Sequence, residues 1–179
     1  MRVIQVLLCA LLLIVCPPTA RGQSFELYGS AGPTITDAGH SLAGGVGVSP
    51  TSRISFFVNV ERTHLSAQIH RDAGSFSYFR GGTYLLGSVE LRFVPRGHDR
   101  VGPFALAGFA AGVSRPNVND VFPTPVTNRA SAVFAGGGLM VPLGARFAVF
   151  ADARMLIGAE GSEGIVAVAP VRGGLAWRF

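Results

Sequence analysis

From Ile165 to the final residue the chain alternates. Ile165, Ala167, Ala169, Val171, Gly173, Leu175, Trp177 and Phe179 form one face without a polar side chain, and Arg172 and Arg178 lie on the other. A helical face repeats roughly every 3.6 residues, so alternation by two over this length specifies a β-strand that is apolar on one side and charged on the other. Seven earlier stretches have similar length and are bounded by turn residues: 24–33, 41–49, 53–63, 81–94, 102–114, 131–142 and 146–158. With 164–179 they predict eight strands of about ten residues each, the signature of an antiparallel barrel whose wall faces lipid.

The two faces can be read in five of the eight. Phe25 and Leu27 oppose Glu26, Tyr28 and Ser30; Ile54, Phe56, Val58 and Val60 oppose Ser55, Asn59 and Glu61, with Phe57 an apolar exception on the inner side. Leu85, Val89, Leu91 and Phe93 oppose Ser88, Glu90 and Arg92, and Phe147 to Ile157 at every second position oppose Asp152 and Arg154. The second, fifth and sixth strands carry Gly and Ala on both faces, which leaves their facing open. An eight-stranded barrel has an interior just wide enough for side chains to fill. Glu26, Glu61, Glu90 and Asp152 are therefore expected to share that interior with Arg92, Arg154, Arg172 and Arg178, as a network of ion pairs that closes it.

Connection lengths alternate as a membrane barrel requires. Pro50 to Ser52, Pro95 to Val101 and Leu143 to Ala145 are short; of the other four, His64 to Arg80 and Arg115 to Ala130 are long, and Thr34 to His40 and Ala159 to Glu163 modest. Phe25, Phe56, Phe93, Phe104, Phe147, Trp177 and Phe179 fall near the strand ends served by the short turns, where an aromatic girdle would sit at the interface. A soluble β-sandwich shows the same alternation with its apolar face turned inward. The end-clustered rings and unequal connections favour the barrel.

The chain starts with Arg2, an apolar run from Val3 to Val15 and Ala20-Arg21-Gly22, the three parts of a cleaved export signal. The apolar run is too short for a spanning helix, which needs roughly 20 residues. Residues 1–22 are read as the signal peptide and 23–179 as the barrel. Leu13-Ile14-Val15 before Cys16 lacks the small residue of a lipoprotein site, and Pro17 follows it. Both cysteines, Cys9 and Cys16, lie in the leader, so the mature chain has no disulfide or thiolate metal site. Without the leader, thirteen arginines face ten acidic residues. They form no basic stripe, which argues against nucleic acid as a partner.

His40, His64, His70 and His98 all fall in predicted connections at no metal-ligand spacing, and no cofactor is expected. Gly44-Gly45-Val46-Gly47 precedes no helix, so it cradles no phosphate. Recognition, if any, belongs to the outer loops. There Arg71 and Arg80 accompany Phe76, Tyr78 and Phe79, a set suited to lipopolysaccharide phosphates or another surface.

The terminal strand Val171 to Phe179, with Trp177 two residues before the final Phe, resembles the signal read by the β-barrel assembly machinery, carried here by Leu175, Trp177 and Phe179. With Gly-Pro-Phe-Ala-Leu-Ala-Gly at 102–108, the mature chain is similar to small outer-membrane barrels of the OmpX and OmpA transmembrane-domain type. That resemblance implies an outer-membrane location, contact with lipid and lipopolysaccharide, and a non-enzymatic structural or adhesive role. It also raises one enzymatic relative, the barrel lipid A deacylases, which use a His-x-Ser pair. His64-Leu65-Ser66 has that spacing with Glu61 nearby, but in that family the motif sits on the strand before the last, and Ala153 to Ala159 holds neither residue. A soluble secreted β-protein is the third class.

Overall fold

The computed structural model describes residues 24–35, 38–66, 68–72, 75–79, 81–118, 124, 126–160 and 165–179. The expected leader, 1–22, lies outside them. The strands in chain order are β1 (Ser24–Thr34), β2 (Gly39–Ser49), β3 (Ile54–Leu65), β4 (Gln68–Asp72), β5 (Ser75–Phe79), β6 (Gly82–Phe93), β7 (Gly102–Pro116), β8 (Asn128–Pro142), β9 (Phe147–Glu160), β10 (Ile165–Val168) and β11 (Val171–Arg178).

Each barrel strand pairs antiparallel with its neighbours. β11 lies between β1 and β9, and β9 also pairs with β8, so the sheet closes on itself. β10 and β11 make one wall strand. They keep one register along β9, with Val168 opposite Leu156 and Val171 opposite Ala153. The strand expected to be continuous over 164–179 is interrupted at Ala169-Pro170 because proline brings no N–H to the ladder. The wall stays closed there: the Pro170 carbonyl accepts from the Arg154 amide at 3.2 Å, and that of Ala169 from Ile35 at 2.9 Å.

Three short turns lie at the end that holds Ser24 and Phe179. In the turn between β6 and β7, Gly97 adopts a φ of 80°, open to glycine at little steric cost, while its amide donates to the Val94 carbonyl at 3.0 Å. At the opposite end several strands run further than the alternation alone marked. β2 begins at Gly39, β3 extends to Leu65, and β7 and β8 reach Pro116 and Asn128. Ladder bonds continue there past the apolar belt. The connection expected over His64 to Arg80 contains the hairpin β4–β5, in which Arg71 stands opposite Phe76 and Ile69 opposite Tyr78.

The facing is reversed from that of a water-soluble domain. Leu27, Phe56, Val60, Leu85, Val89, Leu139, Ile157 and Leu175 are exposed on the outside, while Glu26, Glu61, Glu90, Arg92, Asp152, Arg154 and Arg172 are buried within. The three strands left open also resolve. β2 turns Leu42 and Val46 out and Ser41 and Ala43 in; β7 turns Phe109 out and Leu106 in; β8 turns Val133 and Leu139 out and Phe134 in.

Candidate functional site: the charged interior

The eight charges expected in the lumen are all there, and they form one alternating chain. At the end near the short turns, Arg178 Nε meets Glu26 Oε2 at 2.8 Å. Glu26 Oε1 lies 3.6 Å from Arg92, whose Nη2 binds Glu90 at 2.9 Å. Glu90 Oε2 takes Arg154 at 3.2 Å, and Arg154 reaches Asp152 at 3.2 Å. Arg172 then bridges Asp152 at 3.3 Å and Glu61 at 2.9 Å. Ser41 and Thr63 cap the far end, each donating its hydroxyl to Glu61 Oε1, at 3.0 and 2.9 Å.

Strand parity puts these groups inside, and closure makes them neighbours. Arg178 and Glu26 are direct partners in the β1–β11 ladder, as are Arg172 and Asp152 in the β9–β11 ladder. Arg172 and Glu61 meet across the lumen. A buried carboxylate or guanidinium is costly unless paired, and each of these eight has an opposite charge within ion-pair distance.

Aromatic side chains wrap the middle of the chain. The Arg92 guanidinium carbon lies 4.4 Å from the Phe57 ring centroid and 4.9 Å from that of Phe104, with Tyr28 and Phe150 each at 5.4 Å. The rings meet edge to face: Tyr28 with Phe57 at 5.3 Å, and Phe104 with Phe150 at 6.4 Å. Phe104 corrects the expected girdle. It is a buried member of this cage, because β7 turns Pro103 and Ala105 outward and Phe104 between them inward. Sequence position near the strand end carried the expectation, and a strand of Ala and Gly gave no parity signal to oppose it. The other six rings stay near that end, with Phe56, Phe93, Phe147, Trp177 and Phe179 exposed and Phe25 partly so. Phe147 stacks on Trp177 at 6.1 Å and 7°, and Trp177 contacts Phe179 at 4.3 Å.

His98 is a member that the sequence reading missed. It lies in the turn between β6 and β7, yet it is buried, with Nε2 and Ser55 Oγ hydrogen-bonded at 2.8 Å and Ser55 bonded in turn to Ser49 at 2.8 Å. Its carbonyl accepts from Arg178 Nη1 at 2.9 Å. Burial, then the Arg178 charge, hold its pKa below the usual value, against the opposing pull of Glu26. Only an inserted turn produces this arrangement, and a single histidine in a polar connection gives no hint of one.

His64 and Ser66 are not assembled as a catalytic pair. His64 Nδ1 is bonded to Thr83 Oγ1 at 3.1 Å, and the Ser66 hydroxyl donates to the Ala38 carbonyl at 2.9 Å. Among the described residues no group of three His, Cys, Asp or Glu side chains is placed to hold a metal ion. For the candidate recognition set, the backbone places Arg71, Phe76, Tyr78 and Phe79 on the β4–β5 hairpin, and Arg80 lies outside the described residues.

No family model matches the chain, and no curated sequence matches it significantly. Among solved structures it is similar to the N-terminal β-barrel domain of Pseudomonas aeruginosa OprF, at 15% identity over 87% of this chain and 97% of that one, with a TM-score of 0.61. It is also similar to Neisserial surface protein A, at 9% identity over 88% and 96%, TM-score 0.61. A third is Ail, the attachment invasion locus protein of Yersinia pestis, solved with the heparin analogue sucrose octasulfate, at 14% identity over 89% and 100%, TM-score 0.53. The shared fold is that of small eight-stranded outer-membrane barrels.

Proposed function

We propose that this chain is an integral protein of a bacterial outer membrane, exported behind the leader 1–22, with a closed interior and no catalytic centre. In this reading it stabilises the envelope or binds a surface through its outer connections. One observation carries the proposal: charges are buried inside while large apolar side chains cover the outside. Water would penalise such a surface, whereas lipid covers it at no cost, and a charge at the lipid-facing midplane would cost about 2–4 kcal/mol for Arg. The same observation opposes a soluble secreted protein. The outer-membrane barrels it resembles in fold support the location, and the complex of Ail with a heparin analogue supports a binding role.

Cell fractionation combined with heat-modifiable migration on a denaturing gel tests this. The protein is expected in the outer-membrane fraction, migrating differently when unheated, with a mature N-terminus at Gln23. Recovery without detergent would end the membrane reading.

A further inference from the structure

We propose that His40 and His64 form a two-histidine site for a divalent transition-metal ion, zinc or copper, on the outward face of the barrel at the end away from the chain termini. The site goes beyond the envelope role proposed above and belongs to the wall, not to the outer connections.

Most of β2 and β3 separates the two residues along the chain, and the sheet brings them together. They are direct partners in the β2–β3 ladder, where opposite side chains on one face have Cβ atoms about 4.5–5.5 Å apart. Both point outward: His40 is exposed and His64 half-buried, while the flanking Ser41, Thr63 and Leu65 are buried. Their ring centroids lie 5.4 Å apart, with the planes inclined at 38°. Two imidazoles that each place a nitrogen about 2.1 Å from one zinc ion, at a tetrahedral angle, have centres about 5 Å apart. The pair is therefore spaced to take an ion between its rings with little movement of either strand.

Neighbouring contacts prepare the pair for that ion. His64 Nδ1 is hydrogen-bonded at 3.1 Å to Oγ1 of Thr83, its partner on β6. With Nδ1–H donating to that hydroxyl, Nε2 keeps its lone pair for a metal, the usual division of labour between the two nitrogens of a ligating histidine. Just beyond the pair the backbone is tied. The Ser66 hydroxyl donates to the Ala38 carbonyl at 2.9 Å, and the Gly39 amide to Thr34 Oγ1 at 2.8 Å. A side chain at Gly39 would run into the His64 carbonyl, so glycine lets β2 and β3 close up beside the site. Ligands held on paired strands in this way lose little freedom when an ion binds. Imidazole nitrogen selects zinc, copper or nickel over calcium and magnesium, which take oxygen. Two protein ligands leave further coordination positions to solvent, and the exposed Arg62 and Arg115 lie on the same outward face, so the site is suited to moderate, exchangeable binding.

Calorimetric titration of the untagged, folded mature barrel with Zn2+ tests the site, and electron paramagnetic resonance with Cu2+ counts the nitrogens around the ion. Wild type is expected to bind Zn2+ and to show two imidazole nitrogens on copper, with no uptake of Ca2+ or Mg2+. His40→Ala and His64→Ala should each weaken Zn2+ binding about a hundredfold, because a lone imidazole loses the chelate. Thr83→Val should weaken it about tenfold with both nitrogens retained, which separates a positioning residue from a ligand. His70→Ala, on the β4–β5 hairpin, should change neither reading. Failure of wild type to bind Zn2+, or fewer than two nitrogens on its copper, would overturn the proposal without requiring any variant to fold, as would an equal loss in His70→Ala. Heat-modifiable migration of each sample reports separately that the barrel is formed.

Discussion

Arg172 cannot be removed without leaving carboxylates behind. It bridges Asp152 and Glu61 with its own side chain fully buried, so Arg172→Ala leaves Glu61 without its ion-pair partner and Asp152 with Arg154 alone. Truncating one member of a buried pair typically costs about 3–5 kcal/mol. A comparable fall in unfolding free energy is expected for Arg172→Ala in urea titrations of the refolded barrel in lipid, and a change below about 1 kcal/mol would show that water enters freely enough to replace the arginine. His98 gives a prediction in pH. Its folded pKa is lowered, so the unfolded chain binds the proton first as pH falls below about 6.5. Stability should decline from there until pH reaches the lowered folded value, and be flat below it. Urea midpoints compared between pH 7.5 and pH 5 should show the decline in the wild type and lose most of it in His98→Asn. The eight lumen charges were legible from alternation alone, but His98 was not, since a turn has no parity to place its side chain.

At the scale of elements, glycines give the inner rings their room. A Cβ on Gly174 of β11 would come within 2.4 Å of Phe150 Cζ, one on Gly47 of β2 within 2.4 Å of Phe57, and one on Gly108 of β7 within 2.4 Å of Phe134. In each case a ring from the adjacent strand lies over the bare backbone of its neighbour. That explains why β2 and β7 read as featureless: their inner faces include floor for rings carried by other strands. Gly174→Val should displace Phe150 and destabilise the barrel by about 1–3 kcal/mol, the usual cost of overpacking, while Gly29→Val, with open space at its Cβ, should change stability far less. The closing strand carries a different prediction. The Phe179 amide donates to the Phe25 carbonyl at 3.0 Å, a single ladder bond at the end of the wall, while its ring lies exposed beside Trp177. Deleting Phe179 therefore removes little of the fold. If Leu175, Trp177 and Phe179 serve as an assembly signal, the deletion should sharply lower the amount of heat-modifiable protein in outer membranes while the same protein still refolds from urea in detergent. Normal insertion in cells would remove that role.

For the whole molecule, closure and filling act together. The alternating chain from Arg178 to Glu61 and the four rings around Arg92 lie inside the barrel, and the proposed function takes them to close it. Wild type in planar bilayers should show no open-channel conductance, and neither Glu90→Ala nor Arg172→Ala should create a large one, because the rings remain; a large new conductance would make the ion pairs a gate. Alternation by two is a property of each strand taken alone, so the sequence by itself determined that Glu26, Glu61, Glu90 and Asp152 share a side with the four arginines, and that Leu27, Phe56 and Leu175 face the other way. Unequal connections determined which end holds the termini. Partnership belongs to the closed sheet. Arg178 meets Glu26 from 152 residues away because β11 pairs with β1, and Arg172 meets Glu61 from 111 residues away because the lumen is narrow. Phe104 joined the cage and not the girdle because β7 turns it inward, a parity that its Ala and Gly neighbours left unmarked in the sequence. A side chain's face follows from local backbone geometry, whereas its neighbours follow from register and closure, which no single strand contains.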